Sequence, residues 1–190
     1  MVLFCLCIGL LRPAYAEDAS AAEAVRLTEE LRALAQRQAW AGVERVYAML
    51  ERRGAEFAYE ELVYGAQAAR YSGNIDAARD RLVAAARVKG SREVIDSLAA
   101  IDATYGSVQL VGSRRAPAML EPLEPPFDPD QRAAIAAARA EIAASGAFTG
   151  LLPKGRYLFG DQPFTVEPGI AVRIEVDPRV KRDEPVRNAP

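Results

Sequence analysis

The chain has 190 residues, enough for one medium domain or two small ones, and its 51% hydrophobic and 26% charged residues match a globular protein rather than a disordered or polytopic one. Its formal net charge is -2 and neither half concentrates charge of one sign, so no basic field marks a nucleic-acid partner. Histidine is absent and the only cysteines are Cys5 and Cys7, so the rest of the chain has neither imidazole nor thiol. That excludes Ser-His-Asp and Cys-His nucleophilic sites, zinc sites built on those ligands, and internal disulfides.

Val2 to Leu11 form an unbroken apolar run, followed by Arg12, Pro13 and the A-x-A pattern Ala14-Tyr15-Ala16 before Glu17-Asp18. That is the apolar core and cleavage site of a secretory signal over residues 1–16, although the basic segment that usually precedes the core is missing. The run is too short for the roughly 20 apolar residues of a spanning helix. A periplasmic or secreted location is therefore expected. Lipidation is not, because Phe4 and Leu6 precede the two cysteines where a small residue is required.

From Ala21 to Thr104 there is no proline and apolar residues recur at helical spacing. Breakers and caps predict five helices, over Ala21–Arg37, Ala41–Arg53, Phe57–Tyr71, Ile75–Lys89 and Arg92–Thr104. The turns between them are short enough to force antiparallel neighbours. A shift of 35 residues pairs Trp40 with Ile75, Val43 with Ala78, Tyr47 with Leu82 and Leu50 with Ala85. The later copy reads Gly73-Asn74-Ile75-Asp76-Ala77-Ala78, then Leu82, then Ala85. Small residues there let two helix axes approach while a bulky one fills the gap. This period and pattern resemble the tetratricopeptide repeat, in a degenerate form whose earlier copy carries Val43 and Leu50 at the small positions. The resemblance covers about 70 residues plus a capping helix from Ser91, and it implies an inner surface that holds an extended peptide or a partner's helix. Carried over by position, that surface comprises Thr28, Arg32 and Gln36 from the first copy, and Glu60, Gln67, Arg70 and Tyr71 from the second. Any solvated helix face would show similar residues.

At Tyr105-Gly106 the pattern changes. Ser107–Gly112 alternates at period two as a half-buried strand does, and Ala116–Glu121 reads as a second short strand. Glu121 to Asp130 holds four prolines and must be extended loop. Asp128-Pro129-Asp130-Gln131 is a helix start, with Asp128 as the cap and Pro129 at the first helical position. Gly146 ends that helix, whose face of Ala134, Ile135, Ala138 and Ile142 is suited to packing on a sheet. Four more strands follow, over Phe148–Leu152, Arg156–Phe159, Pro163–Glu167 and Ile170–Asp177, each bounded by Pro or Gly turns. The stretch Gly150-Leu151-Leu152-Pro153-Lys154-Gly155-Arg156-Tyr157, followed by Phe164 to Gly169, resembles the turn-and-core signature of PEGA and carboxypeptidase-regulatory-like β modules. That likeness implies an accessory module of a bacterial envelope protein. Gly150 to Tyr157 also approaches a phosphate-binding loop, but Arg156-Tyr157 replaces Lys-Ser/Thr and a strand stands where a helix N-terminus is needed.

The expected fold class is α+β: antiparallel α-hairpin repeats over 17–105, then a small antiparallel β sandwich or meander over 106–177 with an inserted helix at 129–145, and a tail at 178–190. The expected function is a non-catalytic, exported adaptor that binds a protein or peptide, with no cofactor, metal or nucleic acid. The alternative is a glycan- or peptidoglycan-binding module using Tyr157, Phe159 or Phe164, which would need their rings exposed. The neighbouring carboxylates Glu29-Glu30 and Glu60-Glu61 diverge on a helix and read as solubilising charge. A glycosidase based on Glu141 or Asp161 would require two acids facing across a cleft.

Overall fold

The structure, a computed structural model, describes residues 14–115 and 117–176. The expected leader falls largely on residues 1–13, and the expected tail on 178–190, both outside the described residues. Among the described residues, no helix is long and apolar enough to cross a membrane.

Five helices come first: α1 (Ala14–Gln36), α2 (Trp40–Arg52), α3 (Tyr59–Ser72), α4 (Ile75–Val88) and α5 (Arg92–Thr104). Local chemistry sets their ends. Asn74 and Ser91 cap α4 and α5 by accepting from Ala77 N and Val94 N, satisfying amides that have no partner within the helix. Gly73, in the left-handed region at φ 81°, stops α3. α1 and α2 enclose a core of Leu27, Leu31, Val43, Val46, Tyr47 and Leu50, with Trp40 half-buried against it.

Helix α5 runs into strand β1 (Tyr105–Val111) with no intervening linker, since Tyr105 is both the C-cap of α5 and the first strand residue. Then come β2 (Leu120–Pro122), α6 (Pro129–Ser145), β3 (Ala147–Pro153), β4 (Gly155–Phe159), β5 (Gln162–Val166) and β6 (Val172–Glu175). As expected from the sequence, α6 starts at its Asp128 cap, which accepts from Asp130 N and Gln131 N, and it stops at left-handed Gly146. The second expected strand begins later, at Leu120.

The α+β class expected from the sequence is the one observed. The β half is two three-stranded sheets, ordered β3-β1-β6 and β2-β4-β5. Pairings β1–β3, β2–β4 and β4–β5 are antiparallel, whereas β6 lies parallel to β1, with Val108 opposite Val172. Between the sheets and α6 lies a core of Val108, Leu110, Leu120, Ile135, Ile142, Leu152, Tyr157, Phe159, Phe164 and Val166. Gly106 lets β1 cross the end of β5, because a Cβ there would sit 2.4 Å from the Glu167 carbonyl oxygen.

Three polar side chains close backbone groups on strands at the sheet margins. Asp76 Oδ2 accepts from Leu151 N on β3 (2.9 Å), Arg139 Nε donates to Leu120 O on β2 (2.7 Å), and Gln162 Nε2 donates to Glu175 O on β6 (3.3 Å). Exposed strand edges recruit other chains, so covering them removes that template. Burial raises the Asp76 carboxyl above its ordinary range, and the Leu151 amide partly offsets the rise.

The two halves share packing. A single core cluster contains Leu62, Ile75, Leu82, Val94 and Ile101 from the helices, Tyr105 from β1 and Ala134 from α6, with Leu151 of β3 against it. Arg70 of α3 pairs with Asp130 of α6 at 2.9 Å, and Lys154 N donates to Thr104 O at 2.8 Å.

Candidate functional site

The seven positions expected to form an inner surface divide by what they touch. On α3, Glu60, Gln67 and Tyr71 are exposed, and their spacing of seven and four places them along one stripe. Tyr71 keeps 59% of its surface. Gln67 and Arg70 meet Val63, Leu82, Glu93 and Ser97 around a shallow cleft of about 50 Å³ between α3, α4 and α5. Arg70 is less available than the others because its guanidinium is spent on Asp130.

The α1 positions do not join this cleft. Thr28 Oγ1 donates to Ala24 O of its own helix at 3.0 Å, and Gln36 is exposed near the end of α1. Arg32 donates through Nε and Nη2 to Glu61 Oε1, at 2.8 and 2.5 Å, so it bridges α1 to α3.

Glu61 corrects the expectation that the Glu60-Glu61 pair only adds solvated charge. Glu60 is exposed, but Glu61 retains 3% of its surface. Its second oxygen accepts from Ala58 N at 2.6 Å, which is the reciprocal half of a capping box whose first half Ala58 cannot supply. The sequence signal was its place at the third position of a helix.

A second polar cluster lies beneath the first turns of the repeat. Arg81, 8% exposed, sits over the Tyr47 ring at 3.9 Å and donates to Glu44 Oε2 (2.5 Å), Glu44 Oε1 (2.9 Å) and Gly65 O (2.7 Å). Phe57 stacks on Tyr47 with ring centroids 4.1 Å apart. Gly65 is required here because a Cβ would lie 2.3 Å from Tyr47 Cε2. These bonds fasten α2, α3 and α4 together.

The aromatic platform proposed for glycans is not there. Tyr157 and Phe159 are fully buried and Phe164 is nearly so, with the Tyr157 phenol donating to Pro153 O at 2.8 Å. These rings make the β core, since alternate residues of β4 and β5 face the opposite sheet. The near-match to a phosphate loop fails as well, because β4 follows Gly155. Among the described residues, no group of three or more Asp, Glu, His or Cys is gathered around a possible metal position.

Burial pushes the Tyr47 and Tyr105 phenols up to about 12, and the Tyr157 phenol higher still. For Tyr47 the nearby Arg81 opposes this, and for Tyr105 the carboxylates of Asp130 and Asp128 add to it. A raised folded pKa means that the stability from keeping these phenols neutral is complete below their unfolded value of about 10 and is lost as pH climbs from there towards 12. In an alkaline titration, the phenolate absorbance of these three residues is expected to appear only together with loss of helical circular dichroism. Full ionisation of all tyrosines with the helical signal intact would show that the three rings are not buried.

The arrangement leaves the Gln67 amide and the Tyr71 phenol exposed along α3, with the Arg70 guanidinium engaged by Asp130. No family model, curated protein or solved structure matches the chain.

Proposed function

We propose that this protein is an exported, non-catalytic adaptor of the bacterial envelope, built from tetratricopeptide-type hairpins on an accessory β module, and that it binds a protein or peptide along α3. The supporting observation is the exposed Glu60–Gln67–Tyr71 stripe beside the cleft shared with α5. A tyrosine 59% exposed on a helix whose other face is buried offers large contact area at low entropic cost. Export rests on the apolar run and A-x-A pattern at the start of the chain, and the lack of His and Cys beyond residue 7 fits a holding role.

Replacing Tyr71 with a photo-crosslinking residue tests this reading, with the same probe at Arg87 as control, because Arg87 is exposed on α4 away from the stripe. In envelope extract the position 71 probe is expected to trap a discrete protein adduct that the position 87 probe does not. Equal trapping at both positions, or none at 71, would refute the assignment.

A further inference from the structure

The segment from β2 to α6 carries apolar surface that none of the described residues covers. Phe127 is 97% exposed and Met119 is 69% exposed. Four prolines, at 122, 125, 126 and 129, fix the backbone around Phe127, and Arg132 Nη1 donates to the Phe127 carbonyl oxygen from the first turn of α6. The backbone that carries the ring is therefore restrained in the position that leaves the ring exposed. Pre-ordering of this kind lowers the entropy lost on association.

At the other end of α6 is a trough of about 210 Å³ lined by Ala118, Met119, Leu120, Ile142 and Ala143, with Arg139 along one wall. An apolar space of about 150 Å³ is enough to hold a benzene ring. The surroundings of the ring are net acidic, Glu124 and Asp128 against Arg132, and the trough wall is basic. Glu124 and Asp128 flank Phe127 in sequence, while the trough wall is the Arg139 guanidinium, whose Nε is taken by Leu120 O and which forms no ion pair among the described residues. An acid-flanked knob and a basic-walled hole on one surface are what a self-complementary interface requires.

The helix between them fits the same arrangement. Phe127 and Ala143 lie at opposite ends of α6, and the outward residues between them include exposed Ala136 and Ala140. Two such helices laid antiparallel about a two-fold axis can approach closely over the alanines. That alignment brings the N-terminal end of each against the C-terminal end of the other, where ring meets trough, and it opposes the two helix dipoles favourably.

We propose that a second copy of this chain is the occupant: the protein forms a two-fold dimer through antiparallel α6 helices, with Phe127 of each copy seated in the Met119–Ile142–Ala143 trough of the other. This surface is separate from the α3 stripe, so the dimer would present two copies of that stripe.

Sedimentation equilibrium of the purified protein, from micromolar to submillimolar concentration, tests the proposal. Wild type is expected to move to twice the chain mass. Phe127→Asp removes the knob and Ala143→Glu fills the hole. Both residues are exposed, so unchanged circular dichroism is expected to show intact folds. Each variant alone loses both exchanges and is expected to associate at least about tenfold more weakly. A mixture of the two keeps one intact ring-in-trough contact, so the heterodimer is expected to form more tightly than either variant with itself. High salt is expected to weaken the wild-type dimer. A single-chain mass for wild type throughout, undiminished association of Phe127→Asp, or a mixture no tighter than its components would each overturn the proposal. A surface meant for a foreign ligand gives the first of these results.

Discussion

Gly73→Ala is expected to destabilise the protein by about 3 kcal/mol and lower its melting temperature by roughly 10 °C. Gly73 ends α3 in the left-handed region at φ 81°, with Asn74 N donating back to Ala69 O. An L-residue there costs about 1–2 kcal/mol from contact between its Cβ and the backbone. The larger loss comes from outside the helix. A Cβ at position 73 would lie 2.2 Å from Ala133 O and 2.8 Å from Ala134 N, which are main-chain atoms of α6 and cannot rotate away. α6 would have to shift, loosening the Arg70–Asp130 pair and Ala134 in the shared core, at about 1–3 kcal/mol for overpacking. Gly54→Ala is the control, because it has φ 68° and no atom within 4 Å of the added carbon. Urea denaturation should therefore show only the conformational cost of about 1–2 kcal/mol for Gly54→Ala. Equal losses in the two variants would mean that the α3–α6 contact is not close.

Arg81→Ala is expected to cost about 3 kcal/mol, the lower part of the range for removing one member of a buried ion pair. The substitution leaves Gly65 O without its donor, Glu44 without its partner and one face of Tyr47 uncovered. The Glu44 side chain is 26% exposed, so water reaches it and moderates the loss. Arg81→Lys is expected to recover little, since a single ammonium cannot serve both Glu44 oxygens and the carbonyl while lying flat on the ring. Glu44→Ala should cost less than Arg81→Ala, because Arg81 keeps Gly65 O and the Tyr47 face. A double-mutant cycle between positions 44 and 81 is expected to give coupling of at least about 1 kcal/mol. Additive losses would contradict the pairing.

What could be read from the sequence was local. The Asp128-Pro129 start of α6 and its stop at Gly146 depend on residues within a turn of one another, and each lies where capping chemistry put it. The alternation in β1 identified its buried face, but not its partners. β3 lies about 40 residues on and β6 about 65, and only folding brings them together. A parallel β1–β6 pairing left no local trace.

The candidate site was legible to the same degree. Glu60, Gln67 and Tyr71 came from what the repeat resemblance implies and are exposed on α3, whereas the partners of Arg70 and Arg32 lie 60 and 29 residues away and had no signal in their own windows. Arg81 did carry one. It falls between Ala78 and Ala85 beside Leu82, on a stripe otherwise made of buried small and apolar residues. A charge at such a position must find partners inside the fold.

The direct passage from α5 into β1 has a mechanical consequence. Tyr105 belongs to both elements, so tension between the helical half and the sheets has no slack segment to absorb it. The load enters β1 along its length, and β1 is the middle strand of its sheet, held by β3 on one side and β6 on the other. Backbone bonds that lie across the direction of pull must yield together in shear rather than one after another, which makes this junction a stiff coupling between the helical half and the sheets.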